Sequence, residues 1–294
     1  MPCPLVRIPD PRLVFVPAGG YMPGGVGLGF SIVAEDVWIR YLIRYHRAEV
    51  TLRETLLRHL DPRNHSKEKK SSWRQEFWAL RGITFRASPG DVIGVIGPNG
   101  SGKTTLLKTL AGILSADRGR AIVSGRIACL LNLRAGFNSH LTGRENIYLN
   151  GTMLGLRRGF INERLSQILE LSELGDFIDA PVHTYSAGML ARLGFSIAIH
   201  TEPDVLLLDE VLGAGDARFR SRTGSILERY RDGRRTIVLA NHSMEMIRKD
   251  CNRVVWLEAG TIRMDGSPNE VTEAYLADAK ARRSLAAPTS LAIP

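Results

Sequence analysis

Cysteine is scarce in this sequence, and long hydrophobic runs are absent. The three cysteines, Cys3, Cys129 and Cys251, are odd in number and far apart, so they indicate reduced thiols in a cytosolic protein rather than a disulfide framework or a metal site. No uninterrupted apolar stretch approaches the roughly 20 residues that span a bilayer. The first twelve residues are broken by prolines and charges and are not typical of a signal peptide. These absences argue against a secreted disulfide-rich protein and against an integral membrane protein.

The charge balance is basic without being extreme. The 294 residues carry a formal net charge of +9, and their 44% hydrophobic and 23% charged fractions are those of an ordinary globular protein of one large or two small domains. A basic surface is compatible with nucleic acid, an anionic membrane surface or an acidic ligand. It is equally compatible with a solvated surface that has no such partner. Charge alone therefore assigns no function.

The most informative stretch covers residues 91–107. Residues 92–96 are an apolar run that predicts a short buried parallel strand, and residues 105–112 predict a helix that ends on a glycine. Between them, residues 97–104 match the phosphate loop G-x-x-x-x-G-K-[ST] in full. The glycines allow backbone N–H groups to close around phosphate oxygens, and the helix N-terminus adds positive potential. The predicted nucleotide contacts are Gly97, Pro98, Asn99, Gly100, Ser101, Gly102, Lys103, Thr104 and Thr105.

Individual roles follow from the side chains of this loop and of two later strands. Lys103 is expected to reach the β- and γ-phosphates, and Thr104 to bind Mg²⁺. A second apolar run, residues 205–208, leads into Asp209, which is expected to hold Mg²⁺ directly or through water. Glu210 is then placed to orient or deprotonate the attacking water. His242 follows a third predicted strand and is a candidate contact of the γ-phosphate.

Two further features are candidate ligand contacts. Ser186 and Gly188 fall at a predicted helix start, which is a favourable place for an anion. Trp73, Phe77 or Trp78 lies where an aromatic ring could stack on adenine, and we favour Trp78. An aromatic ring packed in the core explains the same residues equally well.

The remaining pattern alternates strands with helices, which predicts an α/β core with a mostly parallel sheet and an inserted helical block. Asn162 is predicted to cap a helix in that block, and residues 267–270 form a capping box before a terminal helix. Predicted strands cover residues 32–41, 77–85, 120–131 (a pair around Gly125), 235–240, 253–258 and 260–264, and predicted helices cover 51–60, several segments of 142–200, and 267–283. Residues 63–72 read as a surface loop.

Together these motifs resemble the Walker A, signature, Walker B and switch-histidine motifs of ABC ATPases over roughly residues 31–275. The matching stretches are residues 97–105, 185–189, 206–210 and His242. The resemblance implies a P-loop NTPase (RecA-like) core with an antiparallel β subdomain and a helical subdomain at about 141–200. It implies ATP and Mg²⁺ as cofactors and a homodimer, in which Ser186, Ala187 and Gly188 contact the ATP of the other copy. With the resemblance giving a nucleotide-binding domain at 31–268, the Pro- and Gly-rich composition predicts a poorly ordered leader at 1–30, and the end of the chain predicts a terminal helix with a disordered Ala/Pro/Ser tail at 269–294.

Within ABC ATPases, five stretches resemble the subfamily that exports O-antigen, capsule or teichoic acid: residues 77–80, 135–138, 141–148, 185–189 and 241–246. The resemblance implies a separate membrane permease that contacts the glycan, and a peripheral position on the cytoplasmic face of the membrane. The sequence departs from the general ABC pattern in two places. The signature reads Tyr-Ser-Ala-Gly-Met, and residues 213–215, before Asp216, read Gly-Ala-Gly. The usual glutamine ligand of Mg²⁺ is missing, and Asn132 is the candidate in its place, with Arg134 where small residues are usual.

Two other functions fit the same motifs. One is a transporter ATPase for a lipid, a drug or an ion. The other is a non-transport ABC ATPase acting on nucleic acid or ribosomes. A single cassette, no long coiled-coil insertion and no aromatic-and-basic stacking platform argue against the second, so we expect no nucleic-acid partner.

Overall fold

The computed structural model describes residues 13–16, 30–44, 74–131, 136–209 and 217–286, and the fold is given for these. The strands are β1 Leu13–Val16, β2 Ile32–Arg44, β3 Arg74–Ala87, β4 Val92–Ile96, β5 Arg118–Ser124, β6 Ile127–Leu130, β7 Val205–Asp209, β8 Thr236–Ala240, β9 Arg253–Glu258 and β10 Thr261–Gly266. The α-helices are α1 Lys103–Leu110, α2 Gly143–Met153, α3 Arg158–Ser172, α4 Ala187–His200, α5 Ala217–Asp232, α6 Met244–Asp250 and α7 Pro268–Ala286. Short 3₁₀ helices lie at Gly175–Asp179 and Val182–Thr184.

A six-stranded sheet carries the order β10-β9-β4-β8-β7-β6. All neighbouring pairs in it are parallel except β9 and β10, which form an antiparallel pair. The residues of β4 and β8 are buried throughout, as expected for central strands covered on both faces. The prediction of an α/β fold with a mostly parallel sheet is confirmed.

A four-stranded sheet carries the order β1-β5-β2-β3 and is antiparallel except between β1 and β5. Its strand β1 lies inside the predicted poorly ordered leader at 1–30, so that prediction is wrong for residues 13–16. Leu-Val-Phe-Val has a high strand propensity, and its pairing with β5 decides its structure despite the prolines and glycines around it.

Strands β5 and β6 do not pair with each other, although the chain between them is only two residues long. They belong to different sheets, so the predicted strand pair around Gly125 is not a hairpin. Gly125 has φ of +92°, and a Cβ there would lie 2.5 Å from the Asp204 carboxylate. That carboxylate accepts a hydrogen bond from the Arg126 backbone N–H at 2.7 Å, which directs the chain towards β7.

The two sheets are joined by a shared core and by polar contacts. One apolar cluster includes Ile83 of the four-stranded sheet, Leu107 of α1 and Val238 of the six-stranded sheet. At its end the fully buried Thr236 donates from its hydroxyl to Ser31 Oγ (2.5 Å), and the same hydroxyl lies 3.1 Å from the Ser88 carbonyl. A second cluster fills the other face of the six-stranded sheet under α4 to α7.

Helices α2, α3 and α4 pack on one another around a third apolar cluster. Thr142 caps α2 with a capping box, in which its hydroxyl accepts from the Glu145 N–H at 3.1 Å. Helix α3 begins at Arg158 with Arg157 at the cap position, so the prediction that Asn162 caps this helix is wrong. Asn162 lies one turn inside the helix, where its side chain accepts a hydrogen bond from the Tyr148 hydroxyl at 2.8 Å.

Helix α7, at the C-terminal end of the described chain, packs against β9 of the six-stranded sheet. Helix α7 begins one residue after Ser267 and places Tyr275 edge-on against Trp256, with ring centroids 5.3 Å apart. None of the helices in the described part of the chain combines the length and apolarity needed to cross a membrane. The predicted helix at 51–60, the loop at 63–72 and the tail after residue 286 lie outside the described residues.

Candidate nucleotide-binding site

Three of the predicted motifs meet at one edge of the six-stranded sheet. Strands β4, β8 and β7 are adjacent and parallel, and Ala240 is in register with Val95 on one side and Asp209 on the other. Their carboxyl ends therefore lie side by side. Gly97 follows β4, Asp209 ends β7, and His242 follows β8 by two residues. This edge is where an open parallel sheet binds ligands.

The loop after β4 is a cradle that only glycine can form at two positions. Gly97 has φ of +147°, and a Cβ there would lie 2.2 Å from the Leu257 carbonyl oxygen. Gly102 has φ of +106°, and its Cβ would lie 2.7 Å from the Ala79 carbonyl oxygen. The backbone is thus held against β9 on one side and β3 on the other, in a conformation that other residues rarely adopt.

Two buried polar side chains line this cradle. Lys103, 6% exposed, donates from Nζ to the carbonyl oxygens of Gly97 at 2.9 Å and Pro98 at 3.1 Å. Ser101, 2% exposed, has a hydroxyl for which the described residues provide no hydrogen-bond partner. A buried hydroxyl needs such a partner, and a phosphate oxygen in the cradle fits that requirement.

The next residue links the loop to β7. The Thr104 hydroxyl donates to Asp209 Oδ2 at 2.7 Å, across 105 residues of sequence. A hydroxyl and a carboxylate are oxygen ligands of the kind that Mg²⁺ takes beside phosphates. The donor set therefore fits the magnesium ion that the sequence predicts. Thr105 lies in the first turn of α1 and completes the predicted loop.

The predicted signature residues start α4, in the helical part of the molecule. Ser186 is the N-cap, and its hydroxyl accepts from the Met189 N–H at 3.2 Å. Ser186 and Ala187 are exposed, whereas Gly188 is half-buried. The preceding Tyr185 is buried, and its hydroxyl donates to the Phe177 carbonyl at 2.5 Å. Burial raises the pKa of this phenol, which keeps it a neutral donor.

Trp78 lies close to the cradle through its neighbour Ala79, but its ring already has partners. It stands edge-on to Trp38 at 5.5 Å, and the guanidinium groups of Arg40 and Arg118 lie over it at 5.5 and 5.6 Å. Stacking of Trp78 on adenine stays a prediction. Of the two alternative rings, Phe77 is exposed on β3, and Trp73 lies outside the described residues.

Two other predicted site residues, Glu210 and Asn132, also lie outside the described residues, so their roles stay predictions. His242 is exposed, and the neighbouring Asn241 accepts from the Ser243 N–H at 2.8 Å. This bond holds the turn that starts α6.

One organising residue was missed by the sequence reasoning. Asn146 is fully buried in α2 and binds the backbone of residues 138–142. Asn146 lies in the stretch 141–148 that resembles exporter ATPases. That resemblance marks the stretch as a whole but assigns no role to Asn146.

Comparison with known proteins agrees with this geometry. Residues 80–213 match the family described as ABC transporter. The O-antigen export system ATP-binding protein RfbB of Klebsiella pneumoniae is 42% identical over 201 residues, which are 68% of this chain and 82% of that protein. RfbB of Myxococcus xanthus is 39% identical over 83% of this chain and 55% of that protein. The teichoic acids export ATP-binding protein TagH of Lactococcus lactis is 42% identical over 68% of this chain. The chain spans 43% of that TagH and about half of the Myxococcus relative.

Solved structures show the same fold at lower identity. The ATP-binding cassette MJ0796, in a dimeric post-hydrolysis state with ADP and phosphate, has a TM-score of 0.62 at 17% identity and covers 81% of this chain and 98% of its own. CbiO1 of Clostridium perfringens, described as part of an ABC transporter complex, has a TM-score of 0.58 at 20% identity, covering 88% of this chain and 96% of its own.

Proposed function

This chain belongs to the ATP-binding subunits of ABC transporters, and from that premise we propose that it powers export of a lipid-linked polysaccharide through a separate membrane permease. Its enzymatic activity is ATP hydrolysis. The proposed cargo is supported by relatives of about 40% identity that are named for O-antigen and teichoic acid export.

The observation that carries the proposal is the contact between Thr104 and Asp209. It joins a complete phosphate loop to the acidic end of β7, and these are the two parts that a phosphate-bound Mg²⁺ requires. In this proposal the cradle 97–105 holds the phosphates, Lys103 neutralises their charge, and Thr104 and Asp209 hold Mg²⁺. Asn132 is the proposed further ligand of this ion.

Mg²⁺ supplies neutralisation of the charge on the phosphate oxygens. The remaining proposed roles belong to the chain's own residues. Glu210 orients the attacking water and accepts its proton, and His242 donates a hydrogen bond to the terminal phosphate. Trp78 is the proposed platform for adenine.

Two copies of the chain would share each nucleotide. Ser186, Ala187 and Gly188 of one copy are proposed to bind the phosphates held by the cradle of the other. This arrangement is supported by the exposure of the helix start that carries Ser186, and by the positive potential that a helix N-terminus provides. Closing and reopening of the pair would drive the permease, with the ATPase on the cytoplasmic face of the membrane.

The substitution Glu210→Gln tests the hydrolytic role. We expect ATP turnover to fall by about 10²–10⁴-fold, the usual contribution of a positioned general base, while ATP affinity stays within a few-fold because the cradle is intact. Turnover is measured by phosphate release and affinity by titration calorimetry. Glu228→Gln, an exposed residue of α5, is the matched control and should behave as wild type. Wild-type turnover in Glu210→Gln would refute the assignment.

The cargo is tested in cells that express the chain with its permease. Replacing wild type by Glu210→Gln should cause lipid-linked polysaccharide to accumulate on the cytoplasmic side, as measured by extraction and by comparing the labelling of intact and permeabilised cells. Unchanged surface polysaccharide together with loss of a different exported compound would assign another cargo.

A further inference from the structure

Asn146 holds a loop by both ends of its side-chain amide. Its Oδ1 accepts from the Asn138 N–H at 2.8 Å, and its Nδ2 donates to the carbonyls of Asn138 and Thr142 at 3.0 and 2.9 Å. The Leu141 carbonyl lies 3.2 Å from the same nitrogen. The side chain is 0% exposed, so no water competes for these bonds. We call residues 138–142 the connecting loop.

The connecting loop is bonded in turn to residues 180–183. The Val182 N–H donates to the Leu141 carbonyl at 2.9 Å, and the His183 N–H donates to the Ser139 carbonyl at 3.0 Å. Thr142 and Pro181 form an isolated antiparallel bridge next to the Val182–Leu141 bond. The two segments therefore form a short ladder, although they lie far apart in the sequence.

This ladder ends three residues before Ser186. The Tyr185 N–H donates to the Val182 carbonyl at 3.0 Å, so the chain turns directly from the ladder into the start of α4. Tyr185 also presses against Gly143, the first residue of α2, where a Cβ would lie 2.3 Å from the phenol oxygen. Every step from Asn146 to Ser186 is a hydrogen bond or a close contact, and none passes through an exposed side chain.

From this chain of contacts we infer that Asn146 is a positioning residue for the phosphate-binding Ser186. It fixes the connecting loop, the loop fixes residues 181–183, and these fix where the helix start at Ser186 points. The inference rests on the proposed function, because it assumes that Ser186 binds nucleotide held by a second copy. It adds that the residue controlling this contact lies outside the motifs that touch the nucleotide.

The substitution Asn146→Asp isolates this role with little change of shape. It replaces a donor that faces three carbonyl oxygens by a carboxylate oxygen, which repels them. Asn150→Asp is the matched control. It makes the same chemical change one turn along α2, where the amide donates to the Asn146 backbone carbonyl at 3.0 Å and does not bond residues 138–142.

The test uses the full chain carrying Glu210→Gln, so that ATP is not consumed. ATP-dependent dimerisation is measured by analytical ultracentrifugation, and ADP affinity of the monomer by calorimetry. With Asn146→Asp added, we expect the dimer dissociation constant to rise at least tenfold while ADP affinity stays within twofold. Hydrogen exchange at the amides of Val182 and His183 should become at least tenfold faster. With Asn150→Asp added, all three values should match the parent.

The outcomes separate this inference from the proposed function. If the parent forms no dimer with ATP, the shared nucleotide site fails, and hydrogen exchange alone decides whether Asn146 fixes the ladder. If the parent dimerises and Asn146→Asp dimerises equally well, the inference is overturned. If Asn146→Asp does not fold, Asn146→Ala replaces it. This change removes the side-chain bonds to residues 138–142 without adding a charge, and it should raise the dimer dissociation constant at least threefold. No rise overturns the inference.

Discussion

At the scale of single residues, the candidate site depends on side chains that hold the loop as well as on those that meet the ligand. Lys103 spans the loop by bonding the carbonyls of its first two residues, so the same ammonium shapes the cradle and supplies its charge. Ser101 is buried beside it. Such double roles predict that substitutions in this loop disturb both its shape and its ligand contacts.

Lys103→Met should weaken ATP binding by about 10–100-fold, because a charge-assisted hydrogen bond contributes about 1.5–3 kcal/mol. Calorimetric titration with ATP measures the change. Lys108→Met, at the other end of the same helix, is the control and should leave the affinity within twofold. Equal losses in both variants would mean that general basicity, not the position of Lys103, determines binding.

The residues of the phosphate loop and of β7 were predictable because their chemistry is encoded in local spacing. Asn146 was not, because an asparagine inside a helix has no distinctive spacing and its partners are backbone atoms of a loop that must first be folded. The wrong cap at Asn162 has a similar cause. Where a chain enters a helix depends on the packing around it, and here it enters at Arg157.

At the scale of the element, α4 has different chemistry at its two ends. Its start carries Ser186, whereas its last residue, His200, is half-buried and bonds the Ser196 carbonyl through Nδ1 at 2.7 Å. Burial lowers the pKa of this imidazole, and the nearby Arg164 and Arg229 lower it further. The folded state therefore favours neutral His200.

A lowered histidine pKa predicts a defined dependence of stability on pH. The folded state binds the proton less readily than the unfolded state, so the stabilising contribution is complete above the ordinary value of 6.5 and is lost as the pH falls through the lower folded value. Urea unfolding at pH values from 8 to 5 should show a smaller loss of stability for His200→Gln than for wild type. The exposed His140→Gln is the control, and it should follow wild type.

The kinds of elements were largely predictable, but their partners were not. Alternating apolar residues on both sides of Gly125 correctly indicate two strands, but nothing in that pattern tells which sheet each strand joins. The separation is decided by Asp204, a residue 79 positions from Gly125, whose carboxylate binds the turn. The hydrophobic periodicity of a sequence does not predict contacts between residues so far apart.

At the scale of the whole molecule, hydrogen bonds connect the two sheets at one end. The Thr236 hydroxyl, fully buried at the start of β8, contacts Ser31, which precedes β2, and Ser88, which follows β3. These partners are separated from Thr236 by 205 and 148 residues of sequence. These hydrogen bonds lie at the start of β8, whereas the candidate site lies at the end of that strand.

Thr236→Val should destabilise the protein by about 1–3 kcal/mol, because it keeps the shape of the side chain but leaves a buried hydrogen-bonding group without its partner. The free energy of unfolding is obtained from urea denaturation. Thr261→Val provides the comparison, since its hydroxyl bonds the Glu258 carbonyl at an exposed position and should contribute much less. Equal losses in the two variants would mean that the buried hydrogen bonds of Thr236 contribute no more to stability than an exposed one.

Gly97 packs directly against Leu257 of β9. A Cβ at position 97 would overlap the Leu257 carbonyl oxygen. The loop 97–105 and the C-terminal hairpin of β9 and β10 are therefore in direct contact at Gly97 and Leu257. A fusion partner attached after the C-terminal helix must therefore leave residues 253–258 in place, because a shift of β9 towards Gly97 would deform the loop 97–105.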